Sequence, residues 1–382
     1  MSFTLVPVCG DGFVDREKLL GEMFAELGNP GSTAGYAIFG KRRVGKTSVL
    51  KELQLRLQNT ERIVPVYFSV WDLVEPSLSE FCSKLSVEIL EAYRLKLGLG
   101  YRIRELLRAP ISLVRQVLDR AELKVIYREV EFLLSFRSGE VDLDGLVENT
   151  FTQPERLSGD MKCVLLIDEF PSILHLRDRN SAVGEAIVRK IRTISEGWRR
   201  TCLCISGSIR STMELAVLSS ASPFYRQLIV REVKPLERRW VRELVLGNLP
   251  DTTEDAVDEI YKFSNGIPFY VQFLGKMLER KKGKVSADEV RKAEEEFLLE
   301  EGDIIFKEEF EKLGPKERLV LVTVAKGHNT PKGIAGQIGE RVSNVNRFLS
   351  YLEEKGQVYR REKGVYEVED PVFARWLKEK VT

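Results

Sequence analysis

Long apolar runs, a surplus of either charge and paired cysteines are all missing from this chain, and each absence excludes something. No apolar stretch approaches membrane-spanning length, and Met1-Ser2-Phe3-Thr4-Leu5 lacks the charged and apolar regions of a signal peptide. The 59 basic and 58 acidic residues leave a net charge of +1, so any nucleic-acid contact has to come from a local patch. Five cysteines, Cys9, Cys82, Cys163, Cys202 and Cys204, show no paired metal spacing and read as reduced core residues of a cytoplasmic protein. Nothing in the composition suggests disorder. With 382 residues, 43% of them hydrophobic, the chain is long enough for two or three domains and a substantial core. Its 31% of charged residues, both signs nearly balanced, predicts a surface laced with ion pairs.

Against that background one segment stands out. Gly40-Lys41-Arg42-Arg43-Val44-Gly45-Lys46-Thr47-Ser48 fits the pattern G-x-x-x-x-G-K-[ST], follows the apolar run Tyr36-Ala37-Ile38-Phe39, and leads into a helix opened by Thr47-Ser48-Val49-Leu50. Gly40 and Gly45 allow the backbone to turn its N–H groups inward, and the helix start adds its positive dipole end. The product is a nest for a polyphosphate. Lys46 is expected on the β- and γ-phosphates, and the Thr47 hydroxyl on Mg²⁺.

A second segment completes the expectation. Cys163-Val164-Leu165-Leu166-Ile167 is a continuous apolar run that ends in Asp168-Glu169, as in a strand buried on both faces with two carboxylates at its C-terminal edge. Ligands of open parallel sheets bind at that edge. Asp168 is expected to hold the Mg²⁺, directly or through water, and Glu169 to polarise the water that attacks the γ-phosphate.

The remaining pattern alternates helix and strand up to about residue 233. Leu19, Leu20, Met23, Phe24 and Leu27 form one helical face, Ile63 to Phe68 a strand, and Thr201 to Ser206 another. The order predicts a doubly wound α/β sheet. A mainly helical insertion is expected over about 72–160, with Phe81, Leu85, Ile89 and Leu90 on one face. Val125, Ile126, Val130, Phe132 and Leu133 fit either period. Ser208, at the end of a strand, is a candidate γ-phosphate sensor, with a turn or helix cap as the alternative. Arg226, and less so Arg210, are candidate arginine fingers. From Lys234 the pattern turns to consecutive helices, a lid, interrupted by Asn265-Gly266-Ile267-Pro268.

After about Asp303 a separate module is expected. Helices open at Pro315, Thr330 and Val342, and a hairpin joins Val358–Arg361 to Val365–Val368 through Glu362-Lys363-Gly364. Three helices and a hairpin predict a winged helix-turn-helix. Arg341, Ser343, Asn344, Asn346 and Arg347 would then face DNA bases, with Arg360, Arg361 and Lys363 on phosphates. The same module also serves as a protein-contact or autoinhibitory element, so DNA, a protein partner and self-association all stay open.

Five ordered blocks, Phe13–Glu17, Gly40–Ser48, Leu165–Glu169, Gly207-Ser208 with Pro223–Arg226, and Gly266-Ile267-Pro268, make the chain resemble the archaeal-type ATPases. That P-loop group lies close to the STAND and AAA+ classes and to origin-recognition replication initiators. The resemblance alone implies ATP as the nucleotide, and no guanine-specific motif is apparent. It also implies base-side contacts from Val14, Arg16 and Pro268, and a role for the double arginine Arg42-Arg43 in the loop. Tyr225 departs from the glycine that often precedes the arginine matching Arg226. The expected division is an ATPase core over 1–233, a helical lid over 234–303 and a winged helix-turn-helix over 304–382. The terminal segment Asp370–Leu377 resembles the last helix of the family.

Overall fold

The structure is a computed structural model that describes residues 2–98, 143–179, 181–207, 213, 222–280 and 283–381. Five parallel strands form its central sheet: β1 (Gly35–Phe39), β2 (Ile63–Ser69), β3 (Lys162–Asp168), β4 (Thr201–Gly207) and β5 (Leu228–Glu232), in the order β2-β3-β4-β1-β5. β3 and β4 are buried along their whole length, which is why their sequences are apolar without alternation. Leu165 and Ile167 join Phe68, Leu203 and Ile205 in the core on one face of the sheet. Val164 and Leu166 join Tyr36, Ile38 and Cys204 on the other. Because every pair is parallel, the ends of all five strands lie along one edge, with Ser69 opposite Asp168 and Phe39 opposite Gly207.

Helices cover both faces. On one side pack α1 (Glu17–Leu27) and α2 (Lys46–Gln58), with Leu20, Met23 and Leu27 of α1 buried. On the other pack α3 (Leu78–Lys96), α4 (Leu143–Leu157) and α5 (Gly184–Ser195). Phe81, Leu85, Ile89 and Leu90 of α3 are fully buried, as their spacing predicts. Residues 125–133, with their ambiguous apolar pattern, lie outside the described residues. Four of the cysteines are buried and burial pushes their thiols up, but Cys9 is exposed, which corrects its expected place in a core. Its neighbours Val8 and Gly10 run over α2 rather than under it, held by Ser48 and Glu52. Among the described residues no helix is long and apolar enough to cross a membrane.

Beyond β5 the chain is helical: α6 (Arg238–Asn248), α7 (Glu254–Ser264), α8 (Pro268–Glu279) and α9 (Ala287–Glu311). Then follow α10 (Pro315–Ala325), α11 (Pro331–Ile338), α12 (Val342–Glu354), the antiparallel hairpin β6 (Val358–Glu362) and β7 (Val365–Val368), and α13 (Pro371–Lys380). The division expected at 303–304 falls inside α9. Gly302 sits where the Trp376 indole lies on the helix, so close that a Cβ would meet its ring at 3.1 Å. Trp376 Nε1 donates to Asp303 Oδ1 at 2.7 Å, and Arg375 Nη1 to Glu294 Oε2 at 2.7 Å. Lid and C-terminal elements therefore share one core, through Phe297, Phe306, Phe373 and Trp376.

Candidate functional site

The turn after β1 departs from ordinary backbone at three places. A Cβ on Gly40 would strike the Val233 carbonyl at 2.3 Å, and Gly45 has φ +96°, a conformation that favours glycine. Arg43 adopts φ +64° despite its side chain. The turn delivers the chain to the start of α2 with Lys46 5% exposed, its Nζ donating to the carbonyls of Gly40 and Lys41 at 2.9 Å each. Burial lowers the Lys46 pKa to about 8, opposed by the neighbouring carboxylates of Glu169 and Asp168. A buried cation of this kind gains strongly from an anion brought beside it.

Asp168, 2% exposed at the end of β3, gathers three hydroxyl groups. Thr47 Oγ1 donates to its Oδ2 at 2.7 Å, Tyr67 OH to the same oxygen at 3.0 Å, and Ser206 Oγ to Oδ1. Burial and Asp168 push the Tyr67 phenol far up, so it stays a donor. Glu169 follows with φ +50°, its N–H donating to Ser206 Oγ at 3.2 Å and Asp168 Oδ1 at 3.1 Å. The expected acidic pair thus stands at the same sheet edge as the glycine turn. Tyr67 and Ser206 carried only a weak signal in the sequence, a polar group near the end of an apolar strand.

A cavity of about 460 Å³ opens from this point. Its lining includes Arg42 to Val49, Trp71 and Glu169 together with Val14, Arg16, Leu236, Leu244, Pro268, Phe269 and Gln272. Its wall includes the segment Thr4–Val8, which sequence patterning gave no reason to place there. Arg16 has φ +73°, pairs with Asp15 at 2.9 Å and also donates to the Lys234 carbonyl. Three left-handed non-glycine residues, Arg16, Arg43 and Glu169, so meet around one cavity, a clustering of strain typical of functional sites. Ser48 lines it too, its hydroxyl accepting from Val8 N at 3.1 Å, while Gly40 and Lys41 lie outside the lining.

Three basic side chains of the turn also reach the C-terminal elements. Lys41 Nζ donates to the Glu369 carbonyl at 2.9 Å and sits 4.5 Å from the centre of the Tyr359 ring. Arg42 pairs with Glu309 at 3.4 Å. Arg43 donates to Asp370 Oδ2 at 3.1 Å and lies over the rings of Phe269 and Phe306. The turn is therefore bolted to α9, the hairpin and the start of α13.

Other expected residues are not brought to the cavity. Ser208 and Arg210 lie outside the described residues. Arg226 is exposed, stacks over Tyr225 at 5.2 Å and is absent from the cavity lining. Arg341, which precedes α12, and Ser343, Asn346 and Arg347 on it are exposed, whereas Asn344 is half-buried and donates to Glu340 at 3.1 Å. Arg360 donates to Tyr366 OH at 2.9 Å and approaches Glu353 at 3.9 Å, Arg361 pairs with Glu367 at 2.8 Å, and Lys363 is exposed.

Comparison with known proteins bears on this arrangement. The sequence pattern of a family described as an ATPase domain predominantly from Archaea matches residues 13–274. No curated protein sequence matches. Among solved structures the chain is similar to the Walker-type ATPase of Pyrococcus abyssi, at 18% identity over 99% of this chain and 100% of that one, with a TM-score of 0.68. It is also similar to the ORC2 protein of Aeropyrum pernix in its ADPNP–ADP complexes, at 14% identity over 96% and 94% of the two chains, with a TM-score of 0.54. Those likenesses concern the fold, while the matched pattern spans the turn at Gly40, the acidic strand end and the start of the lid: the chain belongs to the family of ATPase domains found predominantly in Archaea.

Proposed function

We propose that this ATPase is Mg²⁺-dependent and that it passes its nucleotide state to the C-terminal elements. The observation that carries the proposal is the 2.7 Å contact between Thr47 Oγ1 and Asp168 Oδ2, where Thr47, buried Lys46 and Glu169 line the cavity. A hydroxyl and a carboxylate are the hard oxygen donors that Mg²⁺ takes, usually with phosphate oxygens and water completing its shell. Thr47 and Asp168 would hold the ion, which when bound neutralises charge on the phosphates. The chain's own groups do the rest. Lys46 and the N–H groups of the turn stabilise charge on the transferred phosphoryl group, and Glu169 orients the attacking water. Val14, Arg16 and Pro268 flank the base of ATP.

Coupling rests on the bolts described above. A shift of the turn by nucleotide moves Lys41, Arg42 and Arg43, and with them Glu369, Glu309 and Asp370. Read as a winged helix-turn-helix, the C-terminal module is the output, and duplex DNA on the exposed face of α12 is its first candidate ligand. A protein partner is the second reading, favoured by the ion pairs that already occupy Arg360 and Arg361. Phosphate release measured with Mg²⁺, with EDTA, and in a Lys46→Ala variant tests the proposal. Release only with Mg²⁺, abolished in the variant, supports it; release unaffected by EDTA contradicts it.

A further inference from the structure

The N-terminal segment is pinned at both ends across the cavity. Phe3, 1% exposed, occupies the space above Gly275, where a Cβ would lie 2.2 Å from its ring. Lys276 Nζ donates to the Phe3 carbonyl at 3.3 Å, and Thr4 N donates to Gln272 Oε1 at 3.0 Å. At the far end Val8 N reaches Ser48 Oγ at 3.1 Å and Gly10 N reaches Glu52 Oε2 at 2.7 Å. Residues 3–10 thereby tie α8 of the lid to α2.

The Thr4 contact fixes the Gln272 amide. Because its oxygen takes the Thr4 N–H, the nitrogen occupies the other arm of the planar group and must find an acceptor. Among the described residues none accepts from Gln272 Nε2, although the residue is only 9% exposed and lines the cavity. Gln272 lines the cavity, so an acceptor on a ligand would take the place of water on that donor. Around it Val14, Leu244, Pro268 and Phe269 offer apolar walls suited to the faces of a planar heterocycle.

We infer that Gln272 determines base specificity by donating from Nε2 to the unprotonated ring nitrogen N1 of adenine. Guanine carries a hydrogen at that position and sets donor against donor, which costs it the contact that adenine gains. The inference rests on reading the cavity as the nucleotide site. Its lettering in the sequence is slight: a lone glutamine four residues after Pro268, on the same helical face.

The test measures affinity for ATP, for 1-deaza-ATP, which has a C–H in place of N1, and for inorganic tripolyphosphate, which has no base. The wild-type chain is expected to bind 1-deaza-ATP about tenfold more weakly than ATP, the size of one buried hydrogen bond. In Gln272→Glu, which keeps an oxygen for Thr4 but removes the donor, that difference is expected to vanish. Equal binding of ATP and 1-deaza-ATP by the wild type overturns the inference even if the variant fails to fold. So does a difference that persists unchanged in Gln272→Glu. Failure of the wild type to bind ATP or tripolyphosphate at all sinks the nucleotide reading instead, so the two failures are distinct.

Discussion

Arg43 and Asp370 stand 327 residues apart in the chain and meet at 3.1 Å. The carboxylate serves two roles. Its Oδ1 caps α13 by accepting from Val372 N at 2.9 Å and Phe373 N at 3.2 Å, while its Oδ2 takes Arg43 and Tyr270. Asp370→Asn keeps a capping oxygen and removes the charge that holds Arg43. Loss of a charge-assisted hydrogen bond here is worth about 1–2 kcal/mol. ATP binding is expected to weaken about fivefold, because the turn loses its anchor, with α13 still formed. Titration calorimetry together with helix content by circular dichroism checks both halves; unchanged affinity means the turn and the C-terminal module are mechanically independent.

Tyr67 is expected to matter through the metal rather than through the nucleotide. Tyr67→Phe removes one of the three hydroxyls on Asp168 and leaves those of Thr47 and Ser206. One such bond contributes about 1 kcal/mol, so the Mg²⁺ concentration for half-maximal turnover is expected to rise about fivefold. Binding of ATP in EDTA is expected to stay as in the wild type. A Mg²⁺ titration of steady-state turnover distinguishes the two effects.

Gly275 has no room for a side chain while Phe3 is in place. Gly275→Val is expected to expel Phe3 and cost about 1–3 kcal/mol, as overpacking of a filled site does. Thermal unfolding reads the loss, and limited proteolysis after residue 10 reads the release of the segment. A variant as stable and as protected as the wild type would show that the segment is not wedged.

The hairpin offers a salt-sensitive test of the output. If duplex DNA is the ligand, Arg360→Ala and Arg361→Ala are each expected to weaken binding and to lower the slope of log affinity against log salt by about 1. Both arginines must first leave Glu353 and Glu367. No duplex binding at low salt, with or without ATP, moves the assignment to a protein partner.

The strands, the glycine turn and the order of elements were legible because each is a local pattern. Continuous apolar runs mark Cys163–Ile167 and Thr201–Ser206 as doubly covered strands, and paired turn residues mark the hairpin. The continuity of α9 past Asp303 was not, because Trp376, which packs on it, lies 73 positions further along the chain. Side-chain assignments fared differently from backbone ones. Lys41, Arg42 and Arg43 belong by pattern to the phosphate turn, yet their side chains are claimed by Glu369, Glu309 and Asp370, partners about 270 to 330 positions away that leave no periodic trace. The same holds for Thr4 and Gln272, joined across 268 positions.

The most direct measurement is a paired one on Glu169→Gln and the wild-type chain with Mg-ATP, binding and phosphate release in the same preparations. The variant is expected to bind ATP as tightly as the wild type and to release phosphate at least a hundredfold more slowly, the scale of lost general-base assistance. Equal release by the two chains would contradict the assignment of the carboxylate that follows Asp168, and with it the proposal that hydrolysis occurs where that strand end faces the turn at Gly40.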